Sequence, residues 1–145
     1  MVKIERAATI AASPDVVWSV VSDVEAWPEW HPACAEVRRL DDGPLRMGSK
    51  AVIRQPRLPV TTWEVTWWDP PVGFIWVARA PGALTIGEHH VTPLGDGTAL
   101  RLVIDHSGPL GSVLGLAMYR LTDRYVTMEA EGIKRRSEAR TQTAR

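Results

Sequence analysis

The sequence predicts an α+β fold in which a curved, seven-stranded antiparallel sheet wraps one long C-terminal helix, with two short helices after the first strand. Three observations carry this. Short strand-like runs recur between turn signals from Ala35 to His106. The connections are short, which favours antiparallel neighbours. The stretch Leu110 to Ser137 reads as a single helix, because Leu110, Val113, Leu114, Ala117, Met118, Leu121, Tyr125 and Met128 recur at three- and four-residue steps. Arg120, Asp123, Arg124, Thr127 and Glu131 fall off that stripe and are expected to face water. Pro109 suits the first helical position, with Gly108 before it as a cap.

Taken in order, Lys3–Ile10 is the first strand. Ser13-Pro14-Asp15 then starts a helix: a side-chain cap, a proline at the first helical position and a carboxylate in the first turn. Ser22-Asp23-Val24-Glu25 has the spacing of a capping box and restarts a second short helix, which Pro28 is expected to end. The segment Trp27-Pro28-Glu29-Trp30-His31-Pro32 becomes a stiff aromatic corner. Strands follow at Ala35–Leu40, Ser49–Gln55, Val60–Trp68, Phe74–Ala80, Leu84–Pro93 and Thr98–His106, the last two joined by the Asp-Gly step of Gly95-Asp96-Gly97.

Alternation assigns the faces of these strands. Ser49, Ala51, Ile53 and Gln55 share one face; so do Trp63, Val65 and Trp67, then Phe74, Trp76 and Ala78. Thr85, Gly87, His89 and Val91 form a further inward set, as do Leu100, Leu102, Ile104 and His106. Polar tips such as Gln55 and His89 on an otherwise apolar wall point to an enclosed pocket more than to a dry core.

Composition sets the limits. The 145 residues suit one domain, able to bury about 68–70% of its unfolded surface. Basic and acidic residues balance at 17 each, which removes the electrostatic footprint of a nucleic-acid binder. The run Lys134-Arg135-Arg136 with Arg140 is a solvated helix end, where cations suit the helix dipole. Cys34 is the only cysteine, so no internal disulfide forms. With no N-terminal apolar leader and no membrane-length run, a cytoplasmic location is expected. Seven tryptophans stand against one Phe and two Tyr. Trp is awkward core filler because its N–H needs a partner, so several are expected to line a cavity.

The order of elements resembles the helix-grip architecture of the START-related (SRPBCC) superfamily, most closely its polyketide cyclase/dehydrase-like group. The residues that carry the resemblance are Ser13-Pro14-Asp15-Val16-Val17-Trp18 and Asp23-Val24-Glu25-Ala26-Trp27-Pro28-Glu29-Trp30-His31. Asp69-Pro70-Pro71, Gly95-Asp96-Gly97-Thr98 and the ending Glu131 to Glu138 add to it. It implies an apolar ligand cavity between sheet and helix, on the order of 300–1,000 Å³.

Most chemical signatures fail on geometry. His89 and His90 are neighbours on a strand and point to opposite faces, so one metal ion cannot take both, and no metal or other cofactor is expected. Gly95-Asp96-Gly97 precedes a strand, not a helix, and is a turn rather than a dinucleotide loop. No Gly-x-Ser-x-Gly elbow occurs. His31, His89 and Tyr125 survive as polar candidates, each with a bland alternative: a surface loop histidine, a hydrogen-bonded core histidine, a tyrosine satisfying a backbone group. The expected ligand-contacting set is Trp27, Trp30, His31, Gln55, Trp63 and Phe74, with Trp76, His89, Ile104, Met118, Leu121 and Tyr125; His31 and His89 are its candidate catalytic residues.

Three functions follow from these readings. The first is non-catalytic binding of a small hydrophobic or aromatic ligand (a lipid, polyketide or isoprenoid-like molecule). The second is a polyketide cyclase or dehydratase with a pocket histidine as acid/base. The third is an interaction module that uses outward Ile75, Val77 and Val103 against a partner or, as a homodimer, a second copy.

Overall fold

The structure, a computed structural model, describes residues 1–143. The chain runs β1 (Val2–Ile10), α1 (Pro14–Ser22), a 3₁₀ helix (Val24–Glu29), β2 (Glu36–Arg39) and β3 (Lys50–Arg54). It continues through β4 (Thr61–Asp69), β5 (Gly73–Ala80), β6 (Ala83–Leu94) and β7 (Gly97–Ser107) to α2 (Pro109–Ala117) and α3 (Tyr119–Thr143). The seven strands form one antiparallel sheet in the order β1-β7-β6-β5-β4-β3-β2. Only the β1–β7 pairing joins strands distant in sequence. This is the expected helix-grip fold: α3 lies against β1, β7 and α1 and closes the inward face of the sheet.

Local chemistry explains the starts and stops. The Ser13 hydroxyl accepts the Val16 N–H (3.3 Å) and Pro14 opens α1, as the sequence indicates. The restart after it differs. Asp23 makes no side-chain cap, the segment winds as a 3₁₀ helix, and Pro28 sits inside it rather than ending it. A turn this short leaves few N–H groups that need an intrahelical partner, so the missing proline N–H costs little.

Two expectations about faces are corrected. A β-bulge shifts the β4–β5 register between Val65 and Trp67. An extra residue reverses the alternation beyond it, so Trp68 turns inward against Trp18 and Phe74, while Trp67 turns outward beside His90. The second correction concerns the long helix. It breaks at Met118 (φ −103°, ψ 14°) into α2 and α3. In α2 the glycine side meets the sheet: a Cβ on Gly111 would lie 3.2 Å from the Ala83 backbone, and one on Gly115 only 2.7 Å from His106. That close approach leaves the stripe of Leu110, Val113 and Leu114 facing outward. In α3 the buried face is Thr122, Tyr125, Val126, Ala130, Ile133 and Ser137.

The outward patch expected at Ile75, Val77 and Val103 is also absent. Val77 and Val103 are buried and Ile75 is half-buried.

The join between α3 and the aromatic corner is tight. Arg135 donates to the Trp30 carbonyl (3.0 Å), and a Cβ on Gly132 would lie 2.5 Å from the Trp30 ring and 2.8 Å from its carbonyl oxygen. Gly→Ala inside a helix ordinarily stabilises by about 1 kcal/mol. For Gly132→Ala the sign reverses: overpacking is expected to destabilise by about 1–3 kcal/mol, read as a lower denaturation midpoint in urea.

Candidate functional site

Three elements far apart in sequence bring one imidazole, one carboxyl and a second imidazole together. His31 ends the aromatic corner, with its backbone N–H held by the Trp27 carbonyl (2.8 Å). His89 points inward from β6, and Glu129 projects from the middle of α3. His31 Nε2 lies 3.8 Å from Glu129 Oε1, and His89 Nε2 lies 3.6 Å from Glu129 Oε2. Both imidazoles are almost fully buried, and the Glu129 side chain keeps 17% of its surface exposed, along the cavity it lines.

An aromatic ring backs each imidazole. Trp30 stacks on His31 (5.8 Å between centroids, 16° between planes) and Phe74 on His89 (4.2 Å, 12°). Trp30 and Phe74, expected as cavity wall, therefore stand behind it.

Backbone partners set the two tautomers in opposite senses. The Ala33 N–H points at His31 Nδ1 (3.2 Å), so that nitrogen presents a lone pair and the hydrogen sits on Nε2, facing Glu129. His89 Nδ1 faces the Phe74 carbonyl (3.3 Å), which can only accept, so Nδ1 carries the hydrogen and Nε2 offers its lone pair to Glu129. Glu129 thus has a donor beside one oxygen and an acceptor beside the other. A protonated carboxyl matches that pair; a carboxylate matches only half of it.

Burial drives the same assignment. It pushes Glu129 up to about 8, His31 down to about 4 and His89 down to about 3, the last opposed by the Phe74 bond. At neutral pH the proton sits on the carboxyl and both imidazoles are neutral. Removing two opposite charges from water would carry a desolvation penalty on each, which this arrangement avoids. Cys34 is pushed up to about 12 by burial and the nearby Glu129, so it stays a thiol.

The cavity beside these groups is lined on the helix side by Thr122, Tyr125, Val126 and Glu129. The corner contributes Trp27, His31 and Cys34, and the sheet side contributes Ile53, Gln55, Trp63, Trp76, His89 and Ile104, with Leu58 from the loop before β4. Of the expected set, Met118 and Leu121 lie off it: the break at Met118 turns α3 so that Thr122 and Val126 face inward instead. The Tyr125 hydroxyl is spent on the Pro56 carbonyl (2.5 Å). The free space is about 70 Å³, well below the expected size, because the indoles of Trp27, Trp76 and Trp63 pack ring to ring (5.3 and 5.6 Å) across it. Among the described residues no group of three or more His, Cys, Asp or Glu is arranged to hold a metal ion; each imidazole addresses a different oxygen of Glu129.

Glu129 is the residue the sequence reading missed. Its signal was present: Thr122, Val126, Glu129 and Ile133 are spaced four, three and four apart, a helical stripe one step out of phase with the stripe running on from Leu110.

This fold and site define a helix-grip protein with a buried acid between two imidazoles. The chain belongs to the family described as polyketide cyclase / dehydrase and lipid transport, whose model matches residues 1–138. No curated protein matched the sequence. Similar solved structures include the Zhui aromatase/cyclase from Streptomyces sp. R1128, at TM-score 0.80 and 20% identity, covering 98% of this chain and 96% of that one. The protein TTHA0849 from Thermus thermophilus aligns at TM-score 0.76 and 16% identity, covering 94% and 97%. The di-domain ARO/CYC StfQ from the steffimycin biosynthetic pathway aligns at 0.78 and 14%, covering 97% of this chain and 52% of that one. At these identities the likeness is one of fold.

The protonation states predict a stability profile. Both histidines bind fewer protons folded than unfolded between about pH 4 and their ordinary 6.5, so across that window they make stability rise with pH. Glu129 binds more protons folded than unfolded between its ordinary 4.5 and about 8, so it makes stability fall as pH rises, and its contribution is gone above about 8. Two groups against one give a net rise to a maximum near pH 6.5, followed by a decline. Urea midpoints measured across pH should trace that shape, and Glu129→Gln should lose the alkaline decline while keeping the acid limb.

Proposed function

We propose that the chain is an acid/base catalyst that cyclises, and can dehydrate, a small apolar substrate carrying carbonyl groups at alternate carbons. The carrying observation is the Glu129 carboxyl placed between His31 and His89, where burial favours its neutral form. A pocket that only stores an apolar ligand gains nothing from burying three titratable groups, because affinity there comes from apolar area at ~25 cal/mol per Å². Catalytic sites, in contrast, are where burial sets a carboxyl and an imidazole to opposite protonation states.

The chemistry uses both partners. A substrate enters with one carbonyl oxygen beside Glu129 and an acidic CH₂ between two carbonyls beside His89. His89 Nε2 takes the CH₂ proton, and the enolate carbon attacks the carbonyl that Glu129 polarises. A C–C bond forms and the Glu129 proton passes to the new alkoxide oxygen. His89 is left as imidazolium and Glu129 as carboxylate, 3.6 Å apart. Return of the proton from His89 to Glu129 restores the site without an outside acid or base. In a following dehydration His89 takes the second proton from the same carbon, the hydroxyl departs with the Glu129 proton as water, and the same return resets the pair. His31, with its Nε2–H facing Oε1, steadies the transient carboxylate.

Free space of about 70 Å³ is less than the ~150 Å³ of an engineered cavity that takes benzene. The cavity therefore receives only the reacting end of the substrate. The second reading, a non-catalytic binder, is favoured by the apolar wall and by the Tyr125 hydroxyl being tied to backbone.

Incubation with a short synthetic triketone separates the two, with products read by mass spectrometry and binding by tryptophan fluorescence. The catalytic reading expects cyclised product with loss of water, and a drop in kcat/KM on the order of 10²–10⁴-fold for Glu129→Gln and for His89→Ala. Saturable binding with no turnover by the unaltered protein would overturn it in favour of the binder.

A further inference from the structure

The face of α2 that points away from the sheet has no partner among the described residues. Leu110, Val113, Leu114, Leu116 and Tyr119 are each at least 40% exposed. Ordinary surfaces scatter such residues singly; here they follow one another along one helix and its junction with α3. No residue from Ser107 to Tyr119 is charged. The glycine side of α2 is fixed against the sheet, and the Gly82 carbonyl accepts the Leu110 and Gly111 N–H groups (2.9 and 3.1 Å), so the outward apolar face is a built feature of the fold.

Cations follow it directly in the chain. Arg120 and Arg124 are exposed in the first two turns of α3, where the helix dipole disfavours cations, and no acidic residue occupies that first turn. Arg57 is exposed at positive φ in the loop whose Pro56 carbonyl holds Tyr125. None of the three makes an ion pair among the described residues, whereas Asp123, the nearest carboxylate along α3, is held by Arg6. Helix stability does not account for these arginines.

We propose that this end of the molecule docks on an anionic lipid surface, with α2 lying in the interface plane. An uncharged row of Leu and Val enters the acyl boundary, a tyrosine sits at headgroup level, and arginines meet the phosphates. A protein partner would be recognised through about one hydrogen bond per 100–200 Å², and the outward side chains of α2 offer almost no such groups. A second copy would bring the same arginines together. The helix lies on the surface and does not cross it: no helix among the described residues is long and apolar enough to span. Thr122, in the first turn of α3 after α2, lines the cavity, so docking brings that side of the cavity near the lipid. The proposal stands whether or not the site is catalytic.

The test is co-sedimentation of the full chain with vesicles of phosphatidylcholine mixed with phosphatidylglycerol, and with phosphatidylcholine alone. Two exposed-surface variants go alongside, Leu114→Glu/Leu116→Glu and Arg120→Glu/Arg124→Glu, with folding checked by circular dichroism. The unaltered protein is expected to bind the anionic vesicles at least about tenfold more tightly than the neutral ones, and both variants to lose that preference. Equal pelleting of the unaltered protein and the Leu114/Leu116 variant overturns the proposal, as does no binding to either vesicle. A dimer in sedimentation velocity that this variant dissolves overturns it in favour of a second copy.

Discussion

A largely buried carboxyl set between two imidazoles is the constraint around which the inside of this molecule is arranged. Burial keeps Glu129 and both imidazoles neutral there, and a backbone group fixes which nitrogen of each imidazole carries the hydrogen. The Ala33 N–H and the Phe74 carbonyl therefore matter as much as the imidazoles they hold. Loss of either leaves a buried donor or acceptor without its match, which is costlier than losing an exposed bond. Helix α3 supplies the carboxyl, and the same helix anchors the far side of the site: Gly132, one turn on from Glu129, admits the Trp30 ring that backs His31.

The tryptophans take part in this more as spacers than as open wall. Trp27, Trp76 and Trp63 form a tilted chain across the inward face, with Trp27 and Trp76 both against His89. Rigid rings hold the two imidazoles in place with few rotatable bonds. They also fill most of the volume that a family resemblance would assign to ligand, leaving about 70 Å³ beside the acid.

Topology was legible because it rests on signals written locally: turn residues between alternating runs, a capped proline at the start of α1, and a terminal helix. Faces were legible for β3, β5, β6 and β7, where the alternation is unbroken. They were misread in β4 because a bulge at Val65–Trp67 adds a residue to the count, and nothing in Thr66 announces one. The stripe at Leu110–Ala117 is real, but periodicity says only that side chains share a face, not which face. Gly111 and Gly115 decide that, through backbone contact no hydrophobic pattern registers. Their effect propagates: with α2 turned over and the helix broken at Met118, the buried phase of α3 passes through Glu129. His31 and His89 could be picked out one at a time. What joins them could not, because a glutamate in a helix reads as a water-facing residue unless its phase is known.

The chemistry of the cavity turns on where one proton resides, and infrared or carbon-detected NMR titration of the protein labelled at glutamate carboxyls locates it directly. The expected result is a single carboxyl, missing in Glu129→Gln, that stays protonated through neutrality and titrates near pH 8, while both buried imidazoles remain neutral with hydrogens on opposite nitrogens. A Glu129 signal that is already carboxylate at pH 6, with either histidine carrying two ring hydrogens, would contradict it.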